Sequence, residues 1–307
     1  MSGLTICVAT HDRWELLNNA LNGLLCQTIT VDSIIVVDDR SRVTIPDYTE
    51  QLLENSTVSY CRHKENSGLA AARNTAIALT ETKYFAFCDD DDQWPPCMTE
   101  RLLSRAESSP DSVGVVLAFP ESKRPALESY FETYPTLRDV MRRGITPPVG
   151  AQLYRTQLLK EIGGYDARVR SGVDHDLWVS LAKPNPRVAA TFGAPVMVGS
   201  EPDRDRMTTN ESKRRSGIEE ALQIWRPRII EAFSEDFYQH LVSSYRGYLD
   251  DKFFTQAIKN KQYADASRRA FAKPRVATRL ATRLGRRLLR QPAAGNLFPP
   301  FPVVQND

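Results

Sequence analysis

Tyr84-Phe85-Ala86-Phe87-Cys88-Asp89-Asp90-Asp91-Asp92-Gln93-Trp94 decides how the rest of this 307-residue chain is read. An apolar, aromatic run of this length reads as a buried strand. It stops at four consecutive carboxylates. Adjacent anions repel one another and resist desolvation, so they need neutralising. Pro95 and Pro96 suit a first helical turn, and the N-terminus of that helix would favour negative charge. The remaining neutralisation is expected from a hard divalent cation, which takes oxygen ligands. The carboxyl ends of strands are where open α/β sheets bind ligands. The stretch reads as a metal site at a strand tip, with a solvated acidic loop as the plainer alternative.

Upstream, Leu4 to Ala9 is a short apolar strand that stops at Thr10-His11-Asp12-Arg13. Trp14, Leu16-Leu17, Ala20-Leu21 and Leu24-Leu25 follow at helical spacing, with Asp12 as the expected N-cap. Ser33 to Val37 is an interior, parallel-type strand ending in Asp38-Asp39. Val58 to Cys61 is a weaker third strand, Asn66-Ser67-Gly68 a turn, and Leu69 to Leu79 an alanine-rich helix carrying Arg73 and Asn74. Strands alternating with helices predict an α/β, doubly wound, mostly parallel sheet of the Rossmann-like kind. Three strand ends carry polar groups, which points to a nucleotide-type pocket. The chain has neither Gly-x-Gly-x-x-Gly nor Gly-Lys-Ser/Thr, so neither a dinucleotide fingerprint nor a P-loop is indicated.

Downstream, a helix is expected from Pro96 to about Glu107 and a strand over Val113 to Phe119. Pro120 to Gly144 reads as polar and irregular, Ala151 to Tyr154 as a strand, and Thr156 to Ile162 as a helix closed by Gly163-Gly164. Val173-Asp174-His175-Asp176 opens another helix, with Asp176 the better cap. A last strand is expected over Gly193 to Gly199 and a charged loop over Glu201 to Arg215. Helices then dominate, with breaks expected at Pro227, Gly247 and Pro274. The division that results is residues 1–215 as the binding and catalytic part, and 216–307 as a helical extension with a basic tail.

Bulk composition fits a globular chain: 41% hydrophobic and 25% charged residues. No apolar run is long enough to span a bilayer, and no signal peptide is expected. Five cysteines without metal-ligand spacing fit a reduced, cytoplasmic compartment. The net charge of +2 conceals an asymmetry. Nine of the 40 basic and one of the 38 acidic residues fall from Ala266 onward, leaving residues 1–265 at −6 and the tail at +8. Arg275, Arg279, Arg283 and Arg287 recur every four residues, with Val276, Leu280, Leu284 and Leu288 one place later. That is an amphipathic cationic helix, suited either to an anionic membrane surface or to the acidic body. No nucleic-acid recognition motif accompanies it.

Five segments together resemble family 2 glycosyltransferases of the GT-A fold: Val8 to Arg13, Ile34 to Ser41, Asn66 to Asn74, Phe87 to Trp94, and Gly163-Gly164-Tyr165-Asp166 with Asp174 to Trp178. The resemblance covers roughly residues 3 to 200. It implies a nucleoside-diphosphate sugar donor and Mn2+ or Mg2+. It implies that Asp39 bonds the base, that Thr10 and Arg13 line the base and ribose pocket, and that Arg73 reaches the base or diphosphate. Asp91 would bind the metal, with Asp89 or Asp90 near the ribose. Asp174 would be the general base, although the Glu that commonly precedes it is here Val173. Arg204 or Arg206 would reach the diphosphate.

Such a transfer needs the leaving diphosphate neutralised, the acceptor hydroxyl deprotonated and the two aligned. One base and direct displacement imply inversion at the anomeric carbon. The donor leans to a UDP- or dTDP-sugar, and the acceptor to a glycan, a lipid-linked or a small molecule of bacterial-type surface glycan synthesis. The competing readings are a non-catalytic nucleotide-sugar binding module and a nucleotidylyltransferase. Of the remaining residues, Asp38, His175, Trp94 and Trp178 read as structural, and His11 as a loop histidine.

Overall fold

The computed structural model describes residues 3–197, 210–260, 262 and 269. The first half alternates β1 (Leu4–Thr10), α1 (Trp14–Leu25), β2 (Ser33–Asp38), α2 (Asp47–Leu53), β3 (Val58–Arg62), α3 (Leu69–Leu79) and β4 (Tyr84–Phe87). Then come α4 (Met98–Glu107), β5 (Val113–Phe119), α5 (Arg124–Glu132), α6 (Leu137–Arg142), β6 (Gln152–Arg155), α7 (Thr156–Glu161), α8 (Val173–Leu181) and β7 (Arg187–Phe192). Two long helices follow, α9 (Glu211–Ala232) and α10 (Glu235–Lys259).

The seven strands form one sheet in the order β3-β2-β1-β4-β6-β5-β7. Pairings among β3, β2, β1 and β4 are parallel, as is β5 with β7. β6 runs antiparallel to both its neighbours. The expected mostly parallel, doubly wound α/β sheet is present, with its reversal at β6. Residues of the inner strands alternate between two cores, as the pleat requires. Ile6, Val8, Ile34 and Val36 pack with Trp14, Leu21, Met98 and Leu102. Cys7, Ile35, Val37, Phe85 and Phe87 pack with Trp178, Trp225 and Tyr245. α9 and α10 therefore share a core with the sheet. All five cysteines are free.

Several expectations are corrected. Asp12 does not cap α1: the cap position is Arg13, and Asp12 is in the left-handed region, its carboxylate taking the Arg42 and Val43 amides at 2.6 and 3.0 Å. α4 begins at Met98, so Pro95 and Pro96 stand before it. The stretch expected to be irregular after Pro120 holds α5 and α6, whose Phe131, Leu137, Val140 and Met141 are core residues. The last strand lies at Arg187–Phe192; of the segment expected instead, Met197 only bridges to Gln93. Neither Pro227 nor Gly247 breaks its helix, and the break falls at Phe233-Ser234, where the Ser234 side chain accepts from the Phe237 amide. Buried Trp225 and Ile229 anchor α9 on either side of the hydrogen bond that Pro227 forfeits. Pro274, Arg204, Arg206 and the basic tail other than Arg269 lie outside the described residues; Arg269 pairs with Glu211 at 2.9 and 2.8 Å.

Candidate functional site

Register brings the polar tips together. Thr10 pairs with Asp38 across β1 and β2, and the Asp39 amide donates to the Thr10 carbonyl at 2.9 Å. Cys7 pairs with Phe87, and the Cys88 amide donates to the Cys7 carbonyl at 2.9 Å. The aspartate run thus leaves β4 beside the end of β1. It turns at once, the Asp92 amide reaching the Asp89 carbonyl at 3.0 Å.

Two arginines neutralise the run. Arg13 places Nη1 2.6 Å from Asp90 and Nη2 2.7 Å from Asp91. Thr10 donates its hydroxyl to the other Asp90 oxygen at 2.8 Å. Arg73 places Nη2 2.8 Å from Asp89 and Nη1 2.8 Å from Asp174. The neutralisation expected from a helix N-terminus comes instead from these guanidiniums. Burial pushes the Asp90 carboxyl up to about 7, against the pull of Arg13 and Thr10. Burial also raises Asp89, with Arg73 opposing.

Arg73 is nearly inaccessible, 1% exposed, and lies against the Phe87 and Tyr165 rings at 5.2 and 5.4 Å from their centroids. Its neighbour Asn74 fixes the loop after α7, donating to the Tyr165 carbonyl and accepting its amide, each at 2.8 Å. Gly164 makes this possible. It has a φ of 69°, and a Cβ there would collide with the Asn74 side chain. The Arg-Asn and Gly-Gly-Tyr segments are two halves of one contact.

Asp39 accepts from His63 Nδ1 and the Ser67 amide at 2.8 Å and from the Gly68 amide at 2.7 Å. A carboxylate has about four acceptor positions, so one is left for a ligand. Asp38 is fully buried, held by the Ser41 amide, the Tyr60 hydroxyl and Arg62, and is structural as expected.

Asp174 sits in the first turn of α8, whose N-cap is Gly172. Asp176 is no cap. It lies inside the helix, fully buried, and accepts from the Asp166 amide at 2.6 Å, Trp225 Nε1 at 2.8 Å and Arg228 at 2.9 Å. Burial raises its carboxyl. His175 is buried and its Nδ1 meets the Tyr245 hydroxyl of α10. Burial lowers its pKa to about 4, so the ring is neutral. Trp178 is buried and donates to Gln152 at 2.7 Å, a packing role, and Trp94 is buried as well. Buried Arg214 donates to Ser171 Oγ at 2.7 Å, while its Nε has no hydrogen-bond partner among the described residues, and burial lowers its pKa. Sequence reasoning missed His63, Ser171, Arg214, Trp225, Arg228 and Tyr245. They come from elements far apart in the chain, and only the tertiary fold brings them to the site.

A divalent cation would be held by Asp91 with Asp90. Their carboxylates already converge on one cationic group, Arg13. Among the described residues no set of three or more His, Cys, Asp or Glu side chains is arranged around a metal position. The pair fits a Mg2+- or Mn2+-like ion that brings further ligands with a substrate phosphate.

The glycosyl transferase family 2 model matches residues 5–163. The chain is 26% identical over 185 residues to the glycosyltransferase YwdF of Bacillus subtilis (strain 168), covering 59% of this chain and 68% of that protein. Other curated relatives are matched over about a third of their own length. Among solved structures, S. aureus TarS 1-349 in complex with UDP-GlcNAc has a TM-score of 0.61 at 16% identity, covering 89% of this chain and 73% of that one. The mannosyltransferase PcManGT from Pyrobaculum calidifontis, in complex with GDP-Man and Mn2+, has a TM-score of 0.57 at 17% identity, covering 91% and 83%. These likenesses establish the GT-A type fold, with a helical C-terminal part. A family match over half the chain, on a sheet whose tips carry the family's polar segments, makes this chain a member of glycosyl transferase family 2 and a transferase enzyme.

Proposed function

We propose that the chain is an inverting, metal-dependent glycosyltransferase that moves a sugar from a nucleoside diphosphate to an acceptor hydroxyl. The observation that carries this reading is the Arg73 guanidinium, which spans from Asp89 at the tip of β4 to Asp174 in α8. The acidic tip and the candidate base therefore lie within reach of one side chain. In this reading Asp39 meets the base of the donor, and Thr10 and Arg13 line the base and ribose pocket. Arg73, both of whose Nη groups are engaged within the protein, orders the carboxylates. Asp91 would hold Mn2+ or Mg2+, which as a Lewis acid would supply charge to the departing diphosphate. Asp174 takes the acceptor's proton. The donor is a UDP- or dTDP-sugar, and the acceptor a glycan, lipid-linked or small molecule in surface glycan synthesis.

Residues 1–215 would form the binding and catalytic part and 216–307 the helical extension, whose first helix, α9, already begins at Glu211, inside the stretch expected as a charged loop. No helix of the described residues is long and apolar enough to cross a membrane. We assign the enzyme to the cytoplasm, with the basic tail either on an anionic membrane surface or packed on the acidic body, where Arg269 meets Glu211. Anionic liposomes that sediment the full chain and one ending near Phe271 equally would remove the membrane role.

The deciding experiment is hydrolysis or transfer of UDP- and dTDP-sugars with Mn2+, followed by NMR of the product anomer. Asp91→Ala should abolish turnover. Asp174→Asn should lower it by about 10²–10⁴-fold, a general base's contribution, while nucleotide binding persists. Nucleotide-sugar binding with no turnover under any acceptor would favour a non-catalytic binding module.

A further inference from the structure

We propose that Arg13 occupies the cation's place on Asp90 and Asp91, so that the divalent ion and the donor diphosphate enter as one unit. This rests on the donor and metal reading above. The two guanidinium nitrogens of Arg13 sit 2.6 and 2.7 Å from the two carboxylates, bridging the pair that a metal would use. A bare ion approaching Asp91 meets a fixed positive charge at contact distance, and like charges disfavour each other most where solvent is thin.

The two arginines differ in freedom. The Arg73 side chain is 2% exposed and packed against two rings, whereas that of Arg13 is 32% exposed. The backbone around Arg13 is pinned. Asp12 holds the Arg42 and Val43 amides, and α1 begins at Trp14. Only the side chain is left to move. Asp90 stays in place when Arg13 leaves, because Thr10 holds its other oxygen. A displaced guanidinium then needs a new anion beside the same carboxylates. A diphosphate carried by the incoming metal provides one, and guanidinium matches phosphate oxygens well. Arg13 thus exchanges a carboxylate partner for a phosphate partner as the ion lands.

The test is Mn2+ binding to the full chain, followed by EPR of the free ion, with and without saturating UDP. Wild type should take Mn2+ at least about tenfold more tightly with UDP than without. Arg13→Gln should bind Mn2+ alone at least about tenfold more tightly than wild type, and gain less from UDP. Arg13→Lys, whose ammonium cannot span both carboxylates, should fall between. Melting curves check that each variant is folded, and the wild-type comparison stands even where one is not. Equal Mn2+ affinity with and without UDP in wild type overturns the proposal, as does equal affinity in wild type and folded Arg13→Gln, including no binding in either. If neither UDP nor dTDP binds, with or without Mn2+, the donor reading falls and takes this proposal with it. If UDP binds and the arginine makes no difference, this proposal alone falls.

Discussion

Asp89 and Asp174 stand 85 positions apart in sequence and share a single guanidinium, each 2.8 Å from a different Nη of Arg73. One buried cation thereby sets the distance between the acidic tip and the candidate base. Arg73→Met leaves both carboxylates without that charge in a site shielded from water. We expect a loss of roughly 3 kcal/mol by urea denaturation, the low end for breaking a buried ion pair because both partners are partly exposed. Arg73→Lys should recover only part of it, since one ammonium cannot present two parallel donors. Equal stability of Met and wild-type proteins would show that the bridge carries no weight.

Asp176→Ala strands two donors, the Asp166 amide and Trp225 Nε1, and takes one carboxylate from Arg228, which keeps Ser180. Unpaired buried donors each cost about 1–3 kcal/mol, so the variant should lose about 3–5 kcal/mol by chemical denaturation. Asp176→Asn keeps one acceptor oxygen of the two and should lose less. A variant as stable as wild type would mean that α9 does not depend on this carboxylate.

Gly172 has a φ of 77°, and a Cβ there would lie 2.9 Å from Trp225 Cη2. Gly172→Ala meets both the left-handed backbone penalty and a rigid ring, at a cost of about 2–4 kcal/mol. Because Gly172 caps the helix that carries Asp174, turnover should fall more than nucleotide affinity does. A melting temperature within about 2 °C of wild type would contradict this.

His175 gives a pH dependence. Its folded pKa, about 4, lies below the ordinary 6.5. The unfolded chain therefore binds the extra proton first as pH falls. The stabilisation is complete above about pH 6.5 and is lost progressively down to about pH 4, by roughly 3 kcal/mol. His175→Gln should flatten the stability profile over that window. An unchanged slope would place the acid sensitivity elsewhere.

The polar tips of the sheet were legible in sequence because their residues sit where strands stop. Apolar runs ending in Thr10, Asp38-Asp39 and Asp89 to Asp92 announce both the element and its tip. The Gly163-Gly164 stop was legible because few residues other than glycine adopt positive φ. What escaped was set by tertiary packing. Arg187–Phe192 is a short strand whose register comes from β5, and α5 and α6 look polar because only one side of each is buried. Asp176 looked like a cap because its true partners, Trp225 and Arg228, arrive about 50 residues later. Pro227 reads as a break until the buried residues around it are known.

The grip of Trp225 and Arg228 on Asp176 governs where this chain can be recombined with a relative. A crossover between α8 and α9 would mate a helix from one parent with tryptophan and arginine side chains shaped for another. Hybrids that inherit both helices from a single parent keep Asp176 gripped, and Asp174 stays aimed only where the parent of the first 163 residues also supplies the Arg73 guanidinium.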